Sequence, residues 1–153
     1  MSFTAEVTGN WRRKNNALEG VVTPELLSEL GEVAVKMLRE RMAKGIDVEG
    51  RPFQPYSAGW KKARVKRGKA SAPVDLNFEG NMLASMKAIV NAAGGEVAIS
   101  FENGKEAEKA NFHNVSGAGS SKVRRVFLGL TESEADVLEE LLKSRLAKTA
   151  AFS

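Results

Sequence analysis

Apolar side chains return at helical spacing over residues 26–42: Leu26, Leu27, Leu30, Val33, Ala34, Met37, Leu38 and Met42. That spacing puts them on one face of a helix. Thr23 followed by Pro24 supplies a capping hydroxyl and a first-turn proline, so the helix starts there. Glu25, Glu29 and Glu32 load its first half and Lys36, Arg39, Arg41 and Lys44 its second, which complements the helix dipole. A second helix is predicted from Glu132 to about Ala147, with Ala135, Val137, Leu138, Leu141, Leu142 and Leu146 as its apolar positions. Thr131 and Glu134 form a capping box at its start.

Elsewhere the period is two. Phe3, Ala5 and Val7 alternate with polar residues and predict a short strand, and Asn10 can cap a short helix over 11–18. Residues 87–91 and 96–101, joined by Ala92-Ala93-Gly94-Gly95, predict a β-hairpin. Residues 105–113 read as a short helix and 123–128 as a strand that Gly129 ends. Residues 57–74 read as a loop with a helical turn near Trp60, and 114–122 as a flexible loop, both broken by glycine and serine. The element order predicts an α+β fold: two main helices packed on one antiparallel β-sheet, with long connecting loops. One domain is expected over 1–153, divided into an N-terminal strand and short helix (1–22), a core (23–147) and a frayed tail (148–153).

Composition narrows the chemistry. The 153 residues are 42% hydrophobic and 27% charged, ordinary for a globular protein. There is no cysteine, so disulfides, thiol chemistry and cysteine metal sites are excluded. A net charge of +4 permits contact with nucleic acid without arguing for it. The first residues lack the basic and apolar regions of a signal peptide, and no apolar run approaches the ~18 residues of a membrane span.

The stretch Gly45-Ile-Asp-Val-Glu-Gly-Arg-Pro-Phe-Gln-Pro-Tyr56 organises the chain. Gly45 closes the first long helix, and Pro52 and Pro55 stiffen the backbone around Phe53. This elbow presents Phe53 and Tyr56 to the core or to a neighbouring subunit. It carries no nucleophile or phosphate loop. Asp47 and Glu49 lack the oxygen ladder of a calcium site, because Arg51, Phe53 and Pro55 follow. His113, the sole histidine, has no nucleophile or orienting carboxylate patterned around it. No catalytic, cofactor or metal site is predicted, and the chain is not expected to be an enzyme.

The segment Trp60, Lys61, Lys62, Arg64, Lys66, Arg67 and Lys69 is wholly basic with an aromatic beside it. It could track a phosphate backbone, order against an acidic partner protein, or remain a solvated loop. A small nucleic-acid-binding domain using this segment is the alternative function. Arg124 and Arg125 are adjacent, so on a strand they would point to opposite faces. With Phe53 and Tyr56 they are the candidate residues for a subunit interface.

Four pieces, taken in order, resemble the phage virion morphogenesis family, the Mu-like tail-completion or head–tail joining proteins. The first is the elbow from Lys44 to Ser57, the second the lysine-rich segment after it, the third Leu76-Asn-Phe-Glu-Gly-Asn-Met-Leu-Ala-Ser85, and the fourth Ala110-Asn-Phe-His-Asn114, a glycine-rich loop and Arg124-Arg-Val-Phe-Leu-Gly-Leu-Thr131 before an acidic helix. The likeness spans roughly residues 23–145. Val126 departs from it, since relatives often carry proline after the arginine, and Asn114 stands where glutamine is common. The resemblance implies a structural virion protein of the tail end or neck, made in the host bacterial cytoplasm. It would act as a homo-oligomeric ring, often of six subunits, against neighbouring neck and tail proteins, with DNA passing through the ring. It implies no catalytic residues and no cofactor. The sequence adds one expectation of its own: a basic 57–74 segment on one subunit meeting the acidic last helix of the next, with the 123–128 strand near the contact.

Overall fold

A computed structural model describes residues 5–6 and 22–151. The short helix expected over 11–18 lies outside the described residues. The expected N-terminal strand is present as β1 (Ala5–Glu6), and the rest of that expectation also falls outside.

Helix α1 (Pro24–Ala43) begins where the cap predicts, with the Thr23 hydroxyl accepting from the Leu26 amide at 3.2 Å. Its buried face is Leu27, Leu30, Gly31, Ala34, Val35, Leu38, Arg41 and Met42. The face is broad because α1 is covered twice, by the sheet and by the last helix. Gly31 is where helix and sheet approach closest. A Cβ there would stand 2.5 Å from the Ala88 Cβ and 2.9 Å from a Val97 methyl.

The hairpin forms as predicted, from β2 (Met86–Asn91) and β3 (Glu96–Phe101), in a register running from Met86 opposite Phe101 to Asn91 opposite Glu96. β1 adds to the other edge of β3, with Ala5 opposite Ile99. The sheet is thus antiparallel in the order β1-β3-β2. Met86, Ile99, Phe101, Leu38, Met42, Phe53 and Phe127 belong to one core beneath α1. With its helices and this sheet, the architecture is α+β.

The last helix, the fifth in chain order and so named α5, spans Glu132–Ala151. Its capping box closes reciprocally: the Glu134 amide donates to the Thr131 hydroxyl (3.2 Å) and the Thr131 amide to the Glu134 carboxylate (2.8 Å). The helix continues to Ala151, beyond the Ala147 end expected for it. No glycine or proline stops it, and the Thr149 hydroxyl donates back to the Arg145 carbonyl at 3.1 Å. Arg145 grips Glu29 of α1 through both carboxylate oxygens (2.5–3.1 Å).

Two further expectations are corrected. Within 57–74 the turn expected near Trp60 is a longer helix, α2 (Ala58–Lys66), capped by the Ser57 hydroxyl accepting from the Trp60 amide at 3.3 Å. The basic residues there hide a helix-forming run, because lysine, arginine and alanine all have high helix propensity. Residues 123–128 form no strand of the sheet. Only Val123 makes an isolated bridge, to Ala118. Side chains and single amides consume the hydrogen bonds that a sheet partner would have taken. The remaining helices are α3 (Asn81–Ser85) and α4 (Gly104–Asn111), the latter running into a π-helical turn at Phe112–Ser116. Among the described residues, no helix is long and apolar enough to cross a membrane.

Candidate functional site

The elbow is closed by its own backbone. Gly45 sits at φ +74°, and its carbonyl accepts from the Phe53 amide at 2.8 Å. The Asp47 amide donates to the Arg51 carbonyl (2.7 Å), while the Asp47 carboxylate accepts from the Glu49 and Arg51 amides (2.9 and 2.8 Å). Asp47 is therefore spent on turn geometry. Arg51 pairs outside the turn with Glu49. Phe53 and Tyr56, 5% and 8% exposed, point into the core of their own subunit. Of the two places expected for them, the core or a neighbouring subunit, the structure shows the core.

Tyr56 lies between two guanidinium groups, Arg64 at 4.7 Å and Arg125 at 5.3 Å from its ring centre. Its hydroxyl accepts from the Leu76 amide at 3.2 Å. Burial pushes the phenol's pKa up, and outweighs the pull of Arg64 in the other direction. Arg125 donates to the Gln54 and Pro55 carbonyls (2.8 and 2.9 Å), and burial lowers its own pKa. Arg64, 2% exposed, donates to the Ala70 carbonyl (2.6 Å), to Asn77 (3.3 Å) and to the Asp75 carboxylate (3.2 Å). The α2 segment is thereby folded back onto the core. Arg64 is removed from the candidate DNA or partner contacts, and Arg125 from the candidate interface. Arg124 is exposed, though its guanidinium donates to the Asn114 carbonyl at 3.1 Å.

Several residues of this frame were not singled out from the sequence. Asn114 is buried; its side-chain oxygen accepts from both the Phe127 and Leu128 amides (2.9 Å each), and its amide nitrogen donates to the Ala110 carbonyl at 2.7 Å. It replaces the missing sheet partner of 123–128. Arg41 donates to the Phe127 and Gly129 carbonyls (3.0 and 2.6 Å) and to Glu134 (2.9 Å). Its place three residues after Leu38 is a signal that could have found it, because that spacing is inward. Arg39 likewise holds the Leu83, Ala84 and Met86 carbonyls (2.7–3.2 Å).

What remains outward is α2. Lys61, Lys62, Lys66, Arg67 and Lys69 are exposed, with no ion pair to another described residue. Trp60 is 39% exposed and packs on Phe78, ring centres 5.0 Å apart. Between α2 and the 118–123 loop runs a groove of about 490 Å³, with Trp60, Leu76, Phe78 and His113 on its walls. His113 is largely buried, and its Nδ1 has no hydrogen-bond partner. Burial, with help from the Arg125 charge, lowers its pKa to about 4, so it is neutral at pH 7. No nucleophile is bonded to it, and among the described residues no three histidines or carboxylates stand close enough to share a metal. The groove can hold an apolar or aromatic side chain; it does not assemble a reacting pair. No protein-family model, curated protein or solved structure matches the chain.

Proposed function

We propose that this protein is a structural component of a phage virion, a tail-completion or neck protein needed for head–tail joining, acting as an oligomeric ring. One observation carries the reading beyond the order of motifs: the pieces that resemble the family are bonded to one another. The fourth piece reaches the elbow through Arg125, the elbow reaches the third piece through Tyr56 and the Leu76 amide, and Asn114 ties together the two ends of the fourth. Motifs that form one physical unit are stronger grounds for a family likeness than motifs that merely share an order. The buried arginines give that unit rigidity, which suits a part that must transmit contacts between rings. Ring size and neighbours follow from the resemblance alone.

The test is loss and rescue in a phage that encodes the chain. Particles made without it should accumulate as separate heads and tails by electron microscopy, and the wild-type chain supplied in trans should restore joined particles. Normal, infectious particles in its absence would end this reading. The exposed cations of α2 favour one alternative, a nucleic-acid-binding domain. It requires a salt-dependent shift of DNA that is lost on charge reversal at Lys61, Lys62 and Arg67.

A further inference from the structure

The structure divides the charged segments into groups bonded into the interior of the subunit and groups left on its surface, and the second set forms two complementary faces. On α2, Val65 is 62% exposed. Lys61 and Lys62 precede it by four and three residues, hence share its face, and Lys66 follows it at the end of the helix. On α5, Val137 is 51% exposed, with Asp136 beside it and Glu140 three residues on. Glu132 and Glu140 lie four residues before and after Asp136, so the three carboxylates form one exposed stripe beside Val137. Glu134, acidic in the sequence, is withdrawn from this face by Arg41 and the capping box. Lys143 is tied to Glu139 and Glu140 (2.9 and 3.3 Å), which leaves the first half of α5 still net negative. Each face is an uncovered valine flanked by charge of one sign, and the signs are opposite.

We infer that the outer face of α2 on one copy of this chain docks on the outer face of α5 on the next, Val65 against Val137. Neither face can meet its own copy, since like charges would be brought together. The contact is therefore heterologous, the kind that propagates head to tail and closes into a ring when the rotation permits. Opposite charge sets register and encounter rate, and the valines with the lysine stems supply apolar burial. This moves the expected contact away from residues 123–128, whose Arg125 is spent internally. It rests on the ring reading above for its biological meaning, but its test does not.

Because the chain has no cysteine, the contact can be cross-linked without background. Val65→Cys and Val137→Cys are made as single variants and mixed under mild oxidation, with Ser71→Cys in place of Val65→Cys as the control. The mixture should give a disulfide-linked heterodimer at least tenfold above the control, and neither single variant alone should dimerise comparably. The double variant should give a ladder of higher species. Lys61→Glu with Lys62→Glu should reduce the cross-link about tenfold, and adding Asp136→Lys with Glu140→Lys should restore it. Cross-linking no better than the control, a dominant Val65→Cys homodimer, or charge reversal without effect overturns the inference. So does a wild-type chain that stays monomeric at high concentration while shifting DNA through α2. Should the cross-link form although phage particles assemble without the protein, the contact stands and the tail reading falls. Should particles need the protein although no cross-link forms, the reverse holds.

Discussion

The inner and outer sides of α2 carry the same formal charge and do opposite things. Arg64 is sealed under the helix with three carbonyl and carboxylate partners, against the ring of Tyr56. Lys61, Lys62 and Lys66, on the other side, face solvent with no carboxylate among the described residues. The difference follows from the chemistry of the two side chains. A guanidinium is planar, weakly hydrated and presents a fork of donors, so it can be buried if carbonyls are placed to receive it; an ammonium holds its water more strongly. The pattern extends through the fold: Arg39, Arg41, Arg64, Arg124 and Arg125 all donate to backbone carbonyls. Arginines hold irregular chain together here, and lysines are left for the surface.

The sharpest way to break that comparison is to truncate one residue of each kind. Arg64→Ala strands the Ala70 and Asn77 carbonyls and leaves Asp75 without its cation, and is expected to cost about 3–5 kcal/mol. Lys62→Ala is expected to stay within about 0.5 kcal/mol of wild type. Arg64→Lys should recover little, because an ammonium cannot span the same set of acceptors. Urea unfolding of the three variants, read at the midpoint with unchanged slope, checks the ranking. Equal losses at Arg64 and Lys62 would show that the inner arginine is no better integrated than the outer lysine.

His113 tests the same inner region by pH. Its ordinary pKa of 6.5 is lowered to about 4 by burial and then by Arg125. The sign follows directly. Between those values the unfolded chain takes a proton that the folded chain refuses, so stability falls as the pH drops from 6.5 toward 4, and the dependence ends below the folded value. The full loss is roughly 3 kcal/mol, at about 1.4 kcal/mol per pH unit of separation. His113→Phe should flatten the stability profile across that window. A profile equally steep in that variant would place the dependence elsewhere.

How much of this was legible in the sequence depended on where the hydrogen bonds go. Regular elements announce themselves through periodicity, so α1, the hairpin and the capped start of α5 stand where Leu38, the 92–95 link and Thr131 predicted them. The elbow was legible because glycine and proline constrain backbone directly. The segment at 123–128 was misread as a strand because Val123 and the run Val126-Phe127-Leu128 before Gly129 are strand-forming residues, while the Phe127 and Leu128 amides are satisfied by an asparagine ten or more residues away. A side chain that substitutes for a strand leaves no period to count. In α2 only the turn near Trp60 was legible, because glycine and serine interrupt the basic run; Arg64 looks like its neighbours in sequence, and only its partners distinguish it. As a result, the candidate surface kept its lysines and lost Arg64, Phe53, Tyr56 and Arg125 to the interior.

Between the two extremes lies Arg145, an arginine in a position a lysine could fill. It bridges α5 to Glu29 on α1 with good bidentate geometry, yet both side chains are more than a third exposed. Its hydrogen bonds hold the Glu29 carboxyl below its ordinary pKa of 4.5. A carboxylate lowered in the folded state stabilises above its unfolded value, and the contribution fades as the pH falls through the folded one. Water and salt compete for both groups, so the loss from Arg145→Ala should be smaller than that from either buried group. It should shrink further between 0.1 and 1 M salt, as the screening length drops from about 10 to about 3 Å. Arg145→Lys should retain most of the effect, unlike Arg64→Lys, because here the carboxylate needs a nearby cation more than a fork. Thermal midpoints of the variants at the two salt concentrations make the comparison. A salt-independent loss as large as that of Arg64→Ala would mean that α5 is clamped to α1 by this pair as firmly as α2 is clamped to the core by Arg64.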